Sequence, residues 1–137
     1  MKKILITGGA GYIGSHTAVE LWNAGMEPII LDDLSNTDEK VLDRLEEITG
    51  KRFTFYKGDC NSRALLDQLA KKHEISGVIH FAAFKAVGES TQQPLKYYRN
   101  NIGSLLVLLD WMKDQGIQDI VFSSSCTVYG QPDILPV

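Results

Sequence analysis

A glycine-rich stretch, Thr7-Gly8-Gly9-Ala10-Gly11-Tyr12-Ile13-Gly14, separates a short apolar run, Lys3-Ile4-Leu5-Ile6, from an amphipathic segment, Ile13 to Ala24. The run reads as a buried strand and the segment as a helix. Strand, glycine turn and helix in that order make the setting that a dinucleotide fingerprint requires. One glycine lets the chain turn sharply, another lets its backbone approach a pyrophosphate, and the last lets the helix pack on the strand. The helix N-terminus then faces the phosphates with unpaired N–H groups and a partial positive charge. The spacing fits G-x-G-x-x-G through Gly9, Gly11 and Gly14, and equally G-x-x-G-x-x-G through Gly8, Gly11 and Gly14. Glycines alone would also suit any tight strand–helix turn. A downstream acid favours the dinucleotide: Asp32 ends the next apolar run, Pro28-Ile29-Ile30-Leu31. It stands some twenty residues past the glycines, where an acidic ribose ligand is expected. A carboxylate there accepts from the adenosine ribose hydroxyls and repels a 2′-phosphate, which selects NAD over NADP.

Further along, turns alternate with periodic segments. Gly25 suits the position just past the first helix, and Pro28 the start of the second strand. Asp33-Leu34-Ser35-Asn36-Thr37 is polar and turn-forming, suited to wrap an adenosine, and Asn36 or Thr37 is placed to cap a helix over 38–48. Residues 52–57 have the aromatic content of a third strand, 62–73 form a helix on Leu65, Leu66 and Leu69, and 77–83 a fourth strand. Pro94 opens a long helix whose stripe is Leu95, Tyr98, Ile102, Leu105, Leu106, Leu109 and Met112. Residues 118–123 supply a fifth strand, and Gly130 to Val137 form a Pro-containing tail without periodicity. This alternation predicts an α/β fold, a doubly wound parallel sheet of order 3-2-1-4-5 with right-handed crossovers. The ligand crevice is expected at the carboxyl ends of strands 1 and 4.

Composition narrows the function classes. A chain of 137 residues, 44% hydrophobic and 23% charged, suits one soluble globular domain. A net charge of -3 gives no reason to expect nucleic acid or an anionic membrane as partner. No apolar run approaches the roughly eighteen residues of a membrane helix, and Met1-Lys2-Lys3-Ile4 leads straight into the fingerprint strand rather than a signal peptide. Cys60 and Cys126 lack metal spacing and a secretory context, so free thiols in a cytoplasmic protein are expected and no metal.

Candidate chemistry gathers at the strand ends. Asp59 either accepts from an adenine amino group or caps the helix at Ser62. Ala82 and Ala83 let strand 4 pass close to a cofactor, or are core filler. Lys85 is the one cation just past strand 4. His16 and His80 read as a helix-surface and a packed histidine. Asn100 and Asn101 are poor helix formers inside a long helix, which predicts at least one polar contact there. Ser123-Ser124-Ser125 either offers a hydroxyl to a substrate or turns the chain.

Taken together, Gly8 to Gly14, Asp32-Asp33, Phe81-Ala82-Ala83-Phe84-Lys85-Ala86-Val87-Gly88-Glu89-Ser90, Tyr97-Tyr98-Arg99-Asn100-Asn101 and residues 122–130 resemble the UDP-glucose 4-epimerase family. That family belongs to the extended short-chain dehydrogenase/reductase superfamily. The glycine motif is shared across the superfamily, whereas Lys85-Ala86-Val87-Gly88-Glu89-Ser90 is much more specific to the epimerase. The resemblance covers the whole chain but only the first part of the family's fold. It implies one NAD-binding, Rossmann-like domain over 1–137, truncated before the sixth strand and the substrate domain. It further implies NAD held by Gly8, Gly11, Tyr12, Ile13, Gly14, Asp32, Asp33, Leu34, Ser35, Asn36, Thr37, Asp59, Cys60, Phe81, Ala82, Ala83, Phe84, Lys85, Asn100 and Ser125. The implied reaction interconverts UDP-glucose and UDP-galactose. A tyrosine base takes the sugar 4-hydroxyl proton while hydride passes to the nicotinamide, and the same hydride returns to the other face of the 4-keto sugar. Ser125 is the implied catalytic hydrogen bond to the 4-oxygen.

The chain departs from the family's pattern because no Tyr-x-x-x-Lys occurs in it. In the family that lysine lowers the pKa of the tyrosine base. Tyr129, in the Val-Tyr-Gly turn, has no lysine four residues on. The 137 residues alone are therefore expected to lack epimerase activity. Strand 5 is expected to be an open apolar edge and the stripe of the long helix partly bare, which favours self-association. Two other readings stand beside the epimerase. A related nucleotide-sugar dehydratase or decarboxylase is disfavoured, because dehydratases commonly carry Asp-Glu before the Val-Tyr-Gly turn where this chain has Cys126-Thr127. A non-catalytic NAD-binding module is consistent with the missing base.

Overall fold

The computed structural model describes residues 1–131, 133 and 134. Residues 132 and 135–137, half of the expected tail, lie outside the described residues, as do the side chains of Cys126 and Thr127. Five strands, β1 (Lys3–Thr7), β2 (Glu27–Asp32), β3 (Thr54–Lys57), β4 (Ile75–His80) and β5 (Asp119–Phe122), alternate with helices. The helices are α1 (Tyr12–Asn23), α2 (Lys40–Thr49), α3 (Arg63–Lys72), α4 (Val87–Gln92), α5 (Pro94–Tyr97) and α6 (Gly103–Gln115). The strands form one parallel sheet in the order β3-β2-β1-β4-β5, the doubly wound, Rossmann-like arrangement expected from the sequence. Thr7 pairs with both Leu31 and His80, Asp32 with Lys57, and His80 with Phe122, so the carboxyl ends of all five strands meet one edge.

Successive side chains on a strand point to opposite faces, so each buried strand feeds two cores. Leu5, Ile29, Leu31 and Val78 pack with Leu66 and Leu69 of α3 and Leu108, Trp111 and Met112 of α6. Ile6 and Ile30 pack on the other face with Ala18 and Leu21 of α1 and Leu42 and Leu45 of α2. The apolar runs of β1 and β2 are therefore continuous because both faces are covered. Among the described residues no helix is long and apolar enough to cross a membrane.

Three expectations shift. β3 begins at Thr54 rather than Arg52, because Arg52 pairs with Asp43 and Glu46 of α2 and Phe53 packs against Trp22, with ring centres 5.8 Å apart. Neither Asn36 nor Thr37 caps α2: the Thr37 hydroxyl donates to the Ala10 carbonyl, and the Asp38 carboxylate accepts the Lys40 N–H instead. The long helix is α5, a π turn over Tyr98–Ile102, and α6. It buries the expected stripe only in part, at Met112 and partly at Leu105, and leaves the rest bare, as the sequence also anticipated. Ser104, Leu108, Trp111 and Met112 face the sheet, whereas Leu95, Tyr98, Ile102, Leu106 and Leu109 are exposed. The helix is apolar on two sides, and spacing alone does not say which side the sheet takes. β5 is the outer strand, with Val121 and Phe122 exposed.

The contact that fixes α1 on the sheet edge is at Gly14. A Cβ there would stand 2.3 Å from the Gly8 carbonyl oxygen and 2.7 Å from the Gly9 Cα, both backbone atoms with nowhere to move. Gly14→Ala is expected to cost about 2–4 kcal/mol, as overpacking against backbone does. Gly88→Ala, whose added Cβ meets nothing within 4 Å, should be neutral or slightly stabilising. Urea unfolding of both variants measures the difference, and equal midpoints would refute it.

Candidate functional site

The turn after β1 is built by two glycines. Gly8 has φ +69, the left-handed region that side chains avoid, and an added Cβ would lie 2.8 Å from the Ala82 nitrogen. The loop after β4 thus passes directly over the turn. The Gly8 N–H donates to the Leu31 carbonyl, and the Gly8 carbonyl accepts from the Gly11 N–H. Gly8 and Gly11 line the cleft above, whereas a Cβ on Gly9 would meet Ile30 and Ile6 in the core. The Gly8, Gly11, Gly14 spacing is therefore the one that shapes the opening. Gly11 precedes α1 with no side-chain cap. The first-turn N–H groups of Tyr12 and Ile13 have no acceptor within the helix and must be met from outside it.

Asp32 ties the next loop to this turn. Its Oδ2 accepts from the Ala10 N–H at 3.0 Å and its Oδ1 from the Leu34 N–H at 2.9 Å. Thr37 donates to the Ala10 carbonyl at 3.0 Å, so Ala10 is clasped through both of its peptide groups. Leu34 takes a left-handed conformation, φ 60, and packs on the α1/α2 core instead of lining the cleft. A carboxylate offers about four acceptor positions. The Asp32 carboxylate can therefore take ribose hydroxyls while keeping both backbone bonds.

The resulting cleft has a volume of about 730 Å³, within the usual range for a ligand site. Gly8 and Gly11 form its floor. The Asp32–Thr37 loop, apart from Leu34, and Asp59 and Cys60 line it, together with Phe81 to Lys85 and Asn100. Asp59 also turns its own loop, since Oδ1 accepts from the Asn61 backbone and side chain, while Ser62 caps α3 by accepting from the Leu65 N–H. Cys60 is a buried free thiol, pushed up to about 12 chiefly by desolvation and then by Asp59. It is therefore an inert wall residue rather than a nucleophile. Lys85 and Ala83 are exposed at the cleft wall. Tyr12, Ile13 and Gly14 stand beside the cleft at the start of α1. Ser125 is exposed after β5 and is not a lining residue; its carbonyl accepts from the Val128 N–H.

Sequence reasoning passed over Gly58, Ala86, Glu89, Lys96 and Tyr97 as site residues, yet all line the cleft. The expected polar contact in the long helix is present at Asn101. Its Oδ1 accepts from the Phe84 N–H at 2.8 Å and its Nδ2 donates to the Phe84 carbonyl at 2.9 Å. His16 is exposed and contacts the Tyr12 carbonyl in its own helix.

His80 is packed, as the sequence suggests. It is 2% exposed, with Nδ1 2.6 Å from the Thr7 hydroxyl oxygen and Nε2 3.5 Å from that of Ser104. Burial holds its imidazole below the ordinary value of 6.5. The unfolded chain then binds the proton more readily, so this contribution to stability is whole above about pH 6.5 and is lost as pH falls toward the depressed folded value. Urea unfolding between about pH 8 and about pH 5 should show that loss, with a smaller slope in His80→Gln. An unchanged slope would assign the effect elsewhere, for instance to His73, which burial and Lys3 also push down.

A family model described as GDP-mannose 4,6 dehydratase matches residues 5–137. The chain is 56% identical over 134 residues to the UDP-glucose 4-epimerase of Haemophilus influenzae, a match covering 98% of this chain and 40% of that protein. It is 54% identical to the Bacillus subtilis UDP-glucose 4-epimerase with the same coverage. Among solved structures, UDP-glucose-4-epimerase from Stenotrophomonas maltophila with bound NAD and formylated UDP-arabinopyranose is similar with a TM-score of 0.94 at 47% identity, covering 100% of this chain and 41% of that one. UDP-glucose 4-epimerase from Bifidobacterium longum in complex with NAD+ and UDP gives 0.94 at 47%, covering 99% and 41%. The chain thus spans about two fifths of the length of these relatives, 40% or 41%.

Proposed function

We propose that this chain, which belongs to the GDP-mannose 4,6-dehydratase family, is the NAD-binding part of a UDP-glucose 4-epimerase. The observation that carries the reading is one cleft in which the Gly8–Gly11 turn, the Asp32 carboxylate and the Phe81–Lys85 segment meet. The residues fit a dinucleotide. A Cβ at Gly8 would fill the narrow approach between turn and β4 loop, and the uncapped start of α1 suits a pyrophosphate. Tyr12 and Ile13 would meet the phosphates through their N–H groups, with Gly14 keeping α1 close. Asp32 would take the adenosine ribose, with Asp33, Leu34, Ser35, Asn36 and Thr37 shaping the loop around it. Asp59 and Cys60 would flank the adenine, and Phe81, Ala82, Ala83, Phe84, Lys85 and Asn100 the second half. Bound NAD would supply a hydride acceptor and donor. Ser125 would hydrogen-bond the sugar 4-oxygen of a UDP-sugar. The tyrosine base and its lysine are not among these 137 residues, so the reading assigns the interconversion of UDP-glucose and UDP-galactose to a longer protein in a cytoplasmic setting.

The dehydratase reading draws support from the description of the family model. The residues Cys126-Thr127, where an acid/base pair would stand, weigh against it. A non-catalytic NAD-binding module remains the reading of a different class, and an open reading frame continuing into Tyr-x-x-x-Lys would decide against it. The exposed Leu95, Tyr98, Ile102, Leu106 and Leu109 support self-association.

Denaturing the purified chain and identifying the released nucleotide by mass spectrometry, then titrating NAD, tests the cofactor site. NAD should saturate near one per chain and bind more tightly than NADP. Asp32→Asn should weaken NAD about 10- to 100-fold, the loss of hydrogen bonds to a charged acceptor. No saturable binding would refute the reading. The same preparation should show no epimerisation of UDP-galactose and a mass above the monomer by light scattering. Turnover would overturn the inactivity, and a monomer the self-association.

A further inference from the structure

One wall of the cleft is held by contacts to which the dinucleotide reading gives no role. Glu89 on α4 reaches across to α5. Its Oε1 lies 2.5 Å from Lys96 Nζ, and its Oε2 accepts from the Tyr97 hydroxyl at 2.8 Å. Both of those residues lie against Phe84: the Lys96 ammonium is 5.1 Å from the ring centre, and the Tyr97 ring meets it edge-on at 5.7 Å. The Phe84 main chain is gripped at the same time by Asn101, through N–H and carbonyl together. Asn101 sits in the π turn, a helix distortion frequent at functional sites. Ring and backbone of Phe84 are thus both fixed. Its neighbours on either side, Ala83 and Lys85, are exposed at the cleft wall.

Exposed ion pairs add little to stability. The Glu89 and Lys96 side chains are 36% and 42% exposed, so what this pair contributes is geometry. Hydrogen bonds from Lys96 and Tyr97 hold the Glu89 carboxyl below the usual carboxylate range, which keeps it an acceptor at neutral pH. Desolvation and the bond to Glu89 push the Tyr97 hydroxyl up, which keeps its proton available to donate.

We propose that Glu89 is a positioning residue that acts through Lys96, Tyr97 and the Phe84 ring to hold Ala83–Lys85 in the shape that receives the second half of a dinucleotide. The inference rests on the dinucleotide reading and deepens it. In a doubly wound sheet the two nucleotide halves lie on opposite sides of the switch point. Here β1 and β2 with Asp32 take one half and the segment after β4 takes the other. ADP engages only the first half, so it serves as an internal control.

Calorimetric titration of the 137-residue chain and of Glu89→Gln and Tyr97→Phe with NAD and with ADP tests the proposal. Each variant should weaken NAD about ten-fold and leave ADP within about two-fold. The double variant should lose little more than either single one, because both act through one chain of contacts. Unchanged NAD affinity would overturn the proposal. So would an equal fall for ADP and NAD, the result of a merely structural role. Binding of neither nucleotide by the unaltered chain would sink the dinucleotide reading, and the proposal with it.

Discussion

Gly8 is approached by backbone from two directions, and the site is arranged around that crowding. Its carbonyl accepts the Gly11 N–H and stands where a Cβ on Gly14 would be. Its own missing Cβ leaves room for the Ala82 nitrogen. The turn after β1, the start of α1 that follows it and the loop after β4, some seventy residues further along the chain, therefore converge within van der Waals reach. A methyl group at either glycine would push one of them away. Because interiors are close-packed, such a displacement would spread into the sheet edge rather than be absorbed locally.

The rest of the cleft is secured by hydrogen bonds that begin at this point. Ala10, two residues on, gives its N–H to Asp32 and its carbonyl to Thr37, which fixes the loop after β2 to the glycine turn. Asn101 does the same for the loop after β4 by satisfying both peptide groups of Phe84. Beneath the cleft, Thr7 and His80 join the ends of β1 and β4 through a buried contact. Buried polar groups are costly unless paired, so these bonds impose one geometry on segments that carry no regular structure.

Much of this was legible in the residues. The continuous apolar runs of β1 and β2 announced buried strands, and Asp32 at the end of the second run stands at the carboxyl edge and lines the cleft. Asn100 and Asn101 inside an apolar helix announced a polar contact, and Asn101 makes it. The stripe of the long helix was less legible. Leu95 to Leu109 and Leu108 to Met112 form two apolar faces, and spacing has no term for which one the sheet covers. The cap of α2 was missed for a similar reason: Thr37 has a better use in bonding Ala10, which is 27 residues distant in sequence.

By itself the sequence determined the order of the five strands and of α1, α2, α3 and the long helix, the parallel sheet and the carboxyl-edge position of the cleft, though not the short α4. All of these follow from local periodicity, glycine placement and the handedness of strand–helix–strand crossovers. Tertiary structure alone decided which glycines line the cleft and that Leu34 turns inward while its neighbours line it too. It also decided that Glu89, Lys96 and Tyr97 close on Phe84. These depend on contacts between segments many residues apart, whose distances no local pattern encodes.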